Sequence, residues 1–249
     1  MKVSRLCYGT GAIGGVTKNL PDRRGADLLE YAFDRGVTFW DTAESYDSYR
    51  HIRLALRTVA RAQVVINTKT GGKTKSAGRA SVRKALEEME IQRIDAIMLH
   101  AVQDPTDFEA RRGCLEALLE AKDEGTVGHV GASSHVYTGP VLETLIGAPE
   151  IEVVLSHLNM KGRGLEGGSQ EAHTKLLRRL HGAGKGVMIM KLLDAGKVTA
   201  SEAGEWISWG FEFPHAHSVD LGMASEDEID LAVGLASGVK PKSPAGTRA

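Results

Sequence analysis

Cysteine is scarce in this chain: Cys7 and Cys114 are the only two among 249 residues, far apart and with no C-x-x-C pair. That excludes a disulfide scaffold, a zinc ribbon and a cysteine-bound iron–sulfur cluster. An excess of charge of one sign is missing too. Lys and Arg number 31 against 32 Asp and Glu, a formal net charge of −1. No basic or acidic footprint marks a nucleic-acid partner or an anionic membrane surface. No window approaches the ~20 apolar residues of a membrane span, and the opening Met-Lys-Val-Ser-Arg has no long apolar signal core. The default expectation is a cytoplasmic protein. No linker or low-complexity block interrupts the chain, so residues 1–249 are expected to form one domain. The tail from Gly238, with two Pro and two Gly, is expected to fray.

What the chain does have is an alternation. Short β-branched runs recur at 37–40, 64–68, 94–99, 127–132, 151–155, 187–190 and 218–221, and Leu6-Cys-Tyr8 can open the series. Between them lie helical patterns: Val82, Leu86 and Met89 fall on one face of a helix over 79–90. Phe108, Leu115, Leu118 and Leu119 do the same over 107–124. Gly36, Gly125 and Gly186 stand where helices end, and Asp107 and Thr138 where they begin. Eight strands with helices after most of them predict an α/β protein of the (β/α)₈ TIM-barrel class. The stretch 160–170, rich in glycine, is expected to be a long flexible loop after the sixth strand.

Three ionisable side chains close three successive apolar runs: Asp41 after Val37–Trp40, Lys69 after Val64–Thr68, and His100 after Ala96–Leu99. Tyr46 follows Asp41 in a polar loop. In a parallel barrel these groups share the carboxyl-terminal rim, where barrel enzymes keep their chemistry. A bland reading makes Lys69–Asp41 a structural ion pair, but leaves Tyr46 and His100 unexplained. A catalytic reading uses all four. A free phenol titrates near ~10 and is a poor acid at neutral pH. An adjacent ammonium lowers that value. Asp41 would orient Lys69, and His100 would orient a carbonyl oxygen or relay its proton, giving a general acid poised over a carbonyl.

Other motifs carry less. Gly9-Thr-Gly11-Ala-Ile-Gly14 is a literal G-x-G-x-x-G, but the dinucleotide fingerprint needs a helix to open on its last glycine. Here loop chemistry follows, and the helix is expected only near Pro21–Asp22. Gly71-Gly-Lys-Thr74 lacks both the earlier glycine and the helix of a phosphate loop. His215-Ala-His217 has metal-ligand spacing without a third ligand.

At the catalytic residues the chain resembles the aldo-keto reductase family. The likeness rests on Gly36-Val-Thr-Phe-Trp-Asp-Thr-Ala-Glu-Ser-Tyr46, Asn67-Thr-Lys69, Arg93-Ile-Asp-Ala-Ile-Met-Leu-His100 and Gly131-Ala-Ser-Ser134. It continues in Gly186-Val-Met-Ile-Met-Lys-Leu-Leu193, similar to an "MKPL" strand seven, and Val219-Asp-Leu-Gly-Met223. The resemblance, over roughly residues 6 to 235, implies a barrel that takes NADPH or NADH and passes hydride to a small-molecule carbonyl substrate. Tyr46 would be the acid, tuned by Lys69 and Asp41, with His100 positioning substrate. The cofactor contacts it implies are Gly11, Asp41, Ser133, Ser134, Met190, Lys191, Gly222, Met223 and Ser225. Several positions depart from the pattern. Ala224 stands where a basic residue often meets the 2′-phosphate, so a preference for NADP is not supported. Leu231-Ala232, Leu155, Leu192 and Leu158 replace other family residues, and the family's N-terminal hairpin and much of its C-terminal segment are expected to be lacking. Two alternatives therefore stand beside the reductase: a barrel retained as a binding or regulatory protein, and a lyase using Lys69 as a Schiff-base nucleophile.

Overall fold

A computed structural model describes residues 1–135, 138–166 and 168–238. The expected flexible tail falls, beyond Gly238, outside the described residues. Eight parallel strands close a barrel in sequential order: β1 (Leu6–Gly9), β2 (Phe39–Asp41), β3 (Val65–Thr70), β4 (Ile94–Leu99), β5 (Val127–Ser134), β6 (Val153–His157), β7 (Gly186–Met190) and β8 (Ser218–Gly222). The last strand pairs back onto the first, Cys7 opposite Asp220 and Gly9 opposite Gly222. Helices α1 (Asp22–Asp34), α2 (Tyr49–Ala55), α3 (Lys75–Met89), α4 (Pro105–Ala110), α5 (Arg112–Asp123), α6 (Thr138–Gly147), α7 (Gln170–Gly182), α8 (Ala200–Glu212) and α9 (Glu226–Ala236) surround it. This is the (β/α)₈ TIM barrel that the alternation predicts.

Strand period two divides the side chains between two cores. Outward residues such as Leu6, Tyr8, Trp40, Ile66, Ile97, Leu99, Val154 and Ile189 meet the helices in one large apolar shell. Inward residues Cys7, Phe39, Met98, Val153, Leu155, Met188 and Met190 fill the barrel. Leu155 is therefore part of the barrel filling, fully buried.

Local expectations hold in most places and fail in three. The helical pattern over 107–124 is broken at Arg111, which lies outside both α4 and α5. Its guanidinium is drawn to the His100 carbonyl at 2.8 Å and to Asp107 at 2.8 Å, turning the chain inward. The N-cap of α4 is Asp104, not Asp107, because Pro105 fixes the first helical position and the Asp104 carboxylate accepts from Asp107 N. Gly36 and Gly125 do end helices with φ of +85° and +84°, but before β7 that conformation belongs to Gly184 (+76°), and Gly186 is already strand. The segment after β6 is tied at its base. Asn159 Oδ1 accepts from Arg163 N at 2.9 Å, its Nδ2 donates to the Arg163 carbonyl, and Gln170 Nε2 donates to the carbonyls of Asn159 and Met160.

Candidate active site

The barrel rim brings Asp41, Tyr46, Lys69 and His100 together. Asp41 ends β2 and Lys69 lies near the end of β3, both fully inside the protein. The Lys69 ammonium donates to Asp41 Oδ2 and, at 2.8 Å, to the Thr42 carbonyl. Asn67, one inward step below Lys69, donates to Asp41 Oδ1 at 2.6 Å. Both oxygens of Asp41 are thus taken. Above the pair, Lys69 Nζ stands 4.8 Å from the centre of the Tyr46 ring, and the His100 ring meets Tyr46 edge-on at 5.6 Å.

The glycine motif that looks like a dinucleotide loop has another use here. A Cβ on Gly11 would press the Tyr46 ring at 3.4 Å, and one on Gly14 would stand 2.0 Å from the Tyr46 carbonyl. Gly15 N donates to that same carbonyl at 2.8 Å. Bare backbone at these positions lets the first loop clasp the Tyr46 turn. Beneath it, buried Ser48 links the Thr10 and Thr42 hydroxyls at 2.7 and 2.8 Å. α1 starts at Asp22, so no helix opens on the glycines.

Burial dominates the electrostatics. It lifts the Tyr46 phenol above its ordinary value, and the pull of Lys69 offsets only part of that. The expectation that the ammonium makes Tyr46 a stronger acid than a free phenol is therefore corrected: Lys69 limits the rise and does not reverse it. For Lys69, burial opposes the charge, but Asp41, then Tyr46 and Asp220, hold the ammonium well above its usual range. Burial, with Lys69, Arg111 and Lys191 nearby, lowers His100 to about 4. At neutral pH His100 is a neutral hydrogen-bond donor and not a proton source.

Of the other expected residues, Ser133 and Ser134 end β5 and are fully buried. Ser133 Oγ accepts from Ala101 N at 2.8 Å, whereas Ser134 Oγ has no partner. Met190 ends β7 inside the barrel, and Lys191 beside it is half-buried with φ +59°. Gly222 is exposed at the end of β8. Met223 goes elsewhere: its side chain is buried in the outer core, and its carbonyl accepts from the Tyr8 hydroxyl at 2.6 Å. Ser225 caps α9, accepting from Glu228 N. The first turn of α9 carries Glu226, Asp227 and Glu228, and Arg24 is spent on Glu226.

Sequence reasoning missed three groups. His135 lies 5.5 Å from the His100 ring with its Nε2 buried and unpartnered. His157 holds the His135 carbonyl through Nδ1 at 2.8 Å. Asp220 occupies the middle of β8, where a parallel strand should be apolar throughout, and that break in pattern was the readable signal. Elsewhere, His217 stacks on His181 at 4.8 Å, and among the described residues no cluster of three His, Cys, Asp or Glu could hold a metal. A cavity of about 860 Å³, lined in part by Phe39, Glu152, Lys185 and His217, opens at the opposite end of the barrel. No helix among the described residues is long and apolar enough to cross a membrane.

A closed parallel barrel with an acid, an ion pair and a histidine at its carboxyl-terminal rim is the architecture of a barrel enzyme. The model of the aldo/keto reductase family matches residues 5–205, and the chain belongs to that family. Among curated proteins it is 29% identical over 147 residues to a soybean (Glycine max) protein described as probable aldo-keto reductase 1, covering 53% of this chain and 42% of that one. It is 26% identical to a D-threo-aldose 1-dehydrogenase of a Pseudomonas species, covering 55% of this chain and 51% of the other. The chain thus spans about half the length of these relatives. A longer match, 24% identical over 92% of this chain and 71% of the other, is to L-galactose dehydrogenase of Arabidopsis thaliana. Among solved structures, a proposed aldo-keto reductase of Pseudomonas aeruginosa superposes with a TM-score of 0.78 at 23% identity, over 96% of this chain and 91% of the other. At that identity the likeness is one of fold.

Proposed function

We propose that the chain reduces an aldehyde or ketone to an alcohol, or runs the reverse oxidation, with Tyr46 as the acid. The observation that carries this reading is the wholly buried Asp41–Lys69 pair set under the Tyr46 ring, with neutral His100 against the ring's edge. His100 donates a hydrogen bond to the substrate carbonyl and orients it. Tyr46 delivers its phenolic proton to that oxygen as negative charge develops there, and the Lys69 ammonium stabilises the phenolate left behind. Because burial keeps the phenol protonated at neutral pH, reduction is the favoured direction there and oxidation gains as pH rises.

A nicotinamide dinucleotide, when bound, supplies the hydride. The residues present fit it at the nicotinamide end. Ser134 Oγ is a buried hydroxyl with no partner, suited to a carboxamide, and Lys191 and exposed Gly222 edge the same rim. The adenosine end is different. Ala224 offers no positive charge, and three acids open α9 where a 2′-phosphate would need cations. We therefore assign NADH ahead of NADPH. The substrate is a small-molecule carbonyl compound, in keeping with the sugar named for two of the relatives.

Intrinsic fluorescence titrated with NADH and NADPH should quench with both and saturate at lower NADH concentration. A generic aldehyde should turn over slowly. Tyr46→Phe should remove most turnover and leave cofactor quenching nearly unchanged; full activity in that variant overturns the assignment of the acid. No binding of either nucleotide into the millimolar range would instead support the binding-protein reading. A Schiff-base role for Lys69 gains nothing from the geometry, since the amine is held charged against Asp41.

A further inference from the structure

Asp220 has no part in the reaction as described, yet it stands inside the barrel among its reacting groups. Val219 and Leu221 point outward into the apolar shell, so Ser218, Asp220 and Gly222 point inward. Opposite Asp220 in register is Cys7, whose other inward neighbours include Phe39, Met98 and Met188. The adjacent glycine of β1 makes room for the carboxyl. A Cβ on Gly9 would lie 2.6 Å from Asp220 Oδ1, and Gly9 pairs in register with Asp41 on its far side. Asp220 therefore reaches over bare backbone toward Asp41. No side chain other than hydrogen at position 9 leaves that path open.

Hydrogen-bond accounting shows what is missing there. Asp220 Oδ1 is buried and has no partner, and neither has Asn67 Oδ1. The donors in reach are already committed. Lys69 gives to Asp41 and Thr42, and Asn67 Nδ2 gives to Asp41 and to Met98 Sδ at 3.6 Å. Buried acceptors without donors are costly, and two ionised carboxyls cannot be balanced by one ammonium in a desolvated site. A single proton on Asp220 supplies a donor and removes the surplus charge. The ionisable groups facing it are Cys7 of β1, Asp41 of β2, Tyr46 of the following loop and Lys69 of β3. Burial first, then Asp41, raises the Asp220 carboxyl well above the ordinary range, and Lys69 offsets this only in part.

We propose that Asp220 is a neutral carboxylic acid in the working protein and acts as a positioning residue, setting the acid strength of Tyr46 by keeping the charge beneath it to that of the Asp41–Lys69 pair. Once ionised, Asp220 places an added negative charge facing the phenol and makes Tyr46 a weaker acid. The kinetic part rests on the reductase reading above; the protonation state does not.

Infrared spectroscopy separates the two. At neutral pH every exposed carboxyl is ionised, so the wild-type protein should show the C=O stretch of a protonated carboxyl, lost on alkaline titration. Asp220→Asn should remove that band and Tyr46→Phe should retain it. Absence of the band from wild-type protein at neutral pH overturns the proposal, whether or not the protein reduces anything. With an aldehyde substrate, wild-type kcat/KM should step down on the alkaline side before Tyr46 itself ionises. Asp220→Asn should stay within a few-fold of wild type at neutral pH and lose that step. A band that survives Asp220→Asn, or a step that persists in it, overturns the assignment to Asp220. Absence of turnover in wild-type protein whose band titrates as described would count against the reductase reading alone.

Discussion

Lys69→Met tests the buried ion pair most sharply. Both side chains are essentially without solvent, 0% and 1% exposed, and the replacement is nearly isosteric with the lysine stem. Removing one partner leaves Asp41 buried with a single donor, Asn67 Nδ2. Breaking a buried pair in this way costs about 3–5 kcal/mol, a large share of the ~5–15 kcal/mol that stabilises most domains. Asp41→Asn leaves the ammonium facing only the Thr42 carbonyl and should cost a similar amount. The double variant carries no buried charge at either position. Its loss should be well below the sum of the two single losses, a coupling of at least ~2 kcal/mol. Urea unfolding of the four proteins at pH 7 supplies the cycle.

The pH dependence supplies an independent check with a defined sign. In Lys69→Met the folded-state Asp41 carboxyl loses its ammonium while remaining buried, so its pKa lies above the unfolded value near ~3.9. Between those two values the folded state binds more protons than the unfolded one, and stability falls as pH rises. The deficit relative to wild type should therefore be small at the acid end, grow above about pH 4, and level off beyond the folded-state pKa. A loss below about 1 kcal/mol at pH 7, with additive single variants, would refute the view that this pair is desolvated and coupled.

The Tyr46 clasp and His100 are each open to direct test. Gly14→Ala should push the Tyr46 carbonyl away, lowering stability by roughly 1–3 kcal/mol and turnover by more than that loss explains. Crystallography and kcat/KM of folded Gly14→Ala would check this, and wild-type activity would show that the clasp does not place Tyr46. Because His100 is lowered to about 4, the reduction rate should show no His100 titration between pH 5.5 and 8 and should change only as pH falls toward ~4. A pH–rate profile with a single step near ~6.5 that vanishes in His100→Gln would contradict the neutral histidine.

Much of the rim was legible because strand period and strand end are local properties. Val37–Trp40, Val64–Thr68 and Ala96–Leu99 mark where parallel strands finish, and a residue at such an end must emerge at the shared rim. The family likeness at Gly36–Tyr46 then points to Tyr46. The tuning of that tyrosine was not legible in the same way. Spacing puts an ammonium beside it and suggests a lowered pKa, whereas burial, which depends on the whole surround, sets the net direction upward. The G-x-G-x-x-G was misleading for a related reason. A motif specifies where backbone is bare, but its partner is chosen by topology, and here the partner is the Tyr46 turn.

The chain by itself determined the barrel, its strand order of elements and the identity of the groups at its rim, because periodicity and punctuation act over a few residues at a time. Only the closed barrel decided that Asp41 has no oxygen left for a ligand, that Met223 turns into the outer core, and that Asp220 reaches over Gly9 toward Asp41. Those facts depend on β8 lying beside β1, a contact between residues more than two hundred positions apart. Closure is a long-range constraint, and it is closure that turns a row of strand ends into one desolvated pocket where a single proton changes the balance of charge.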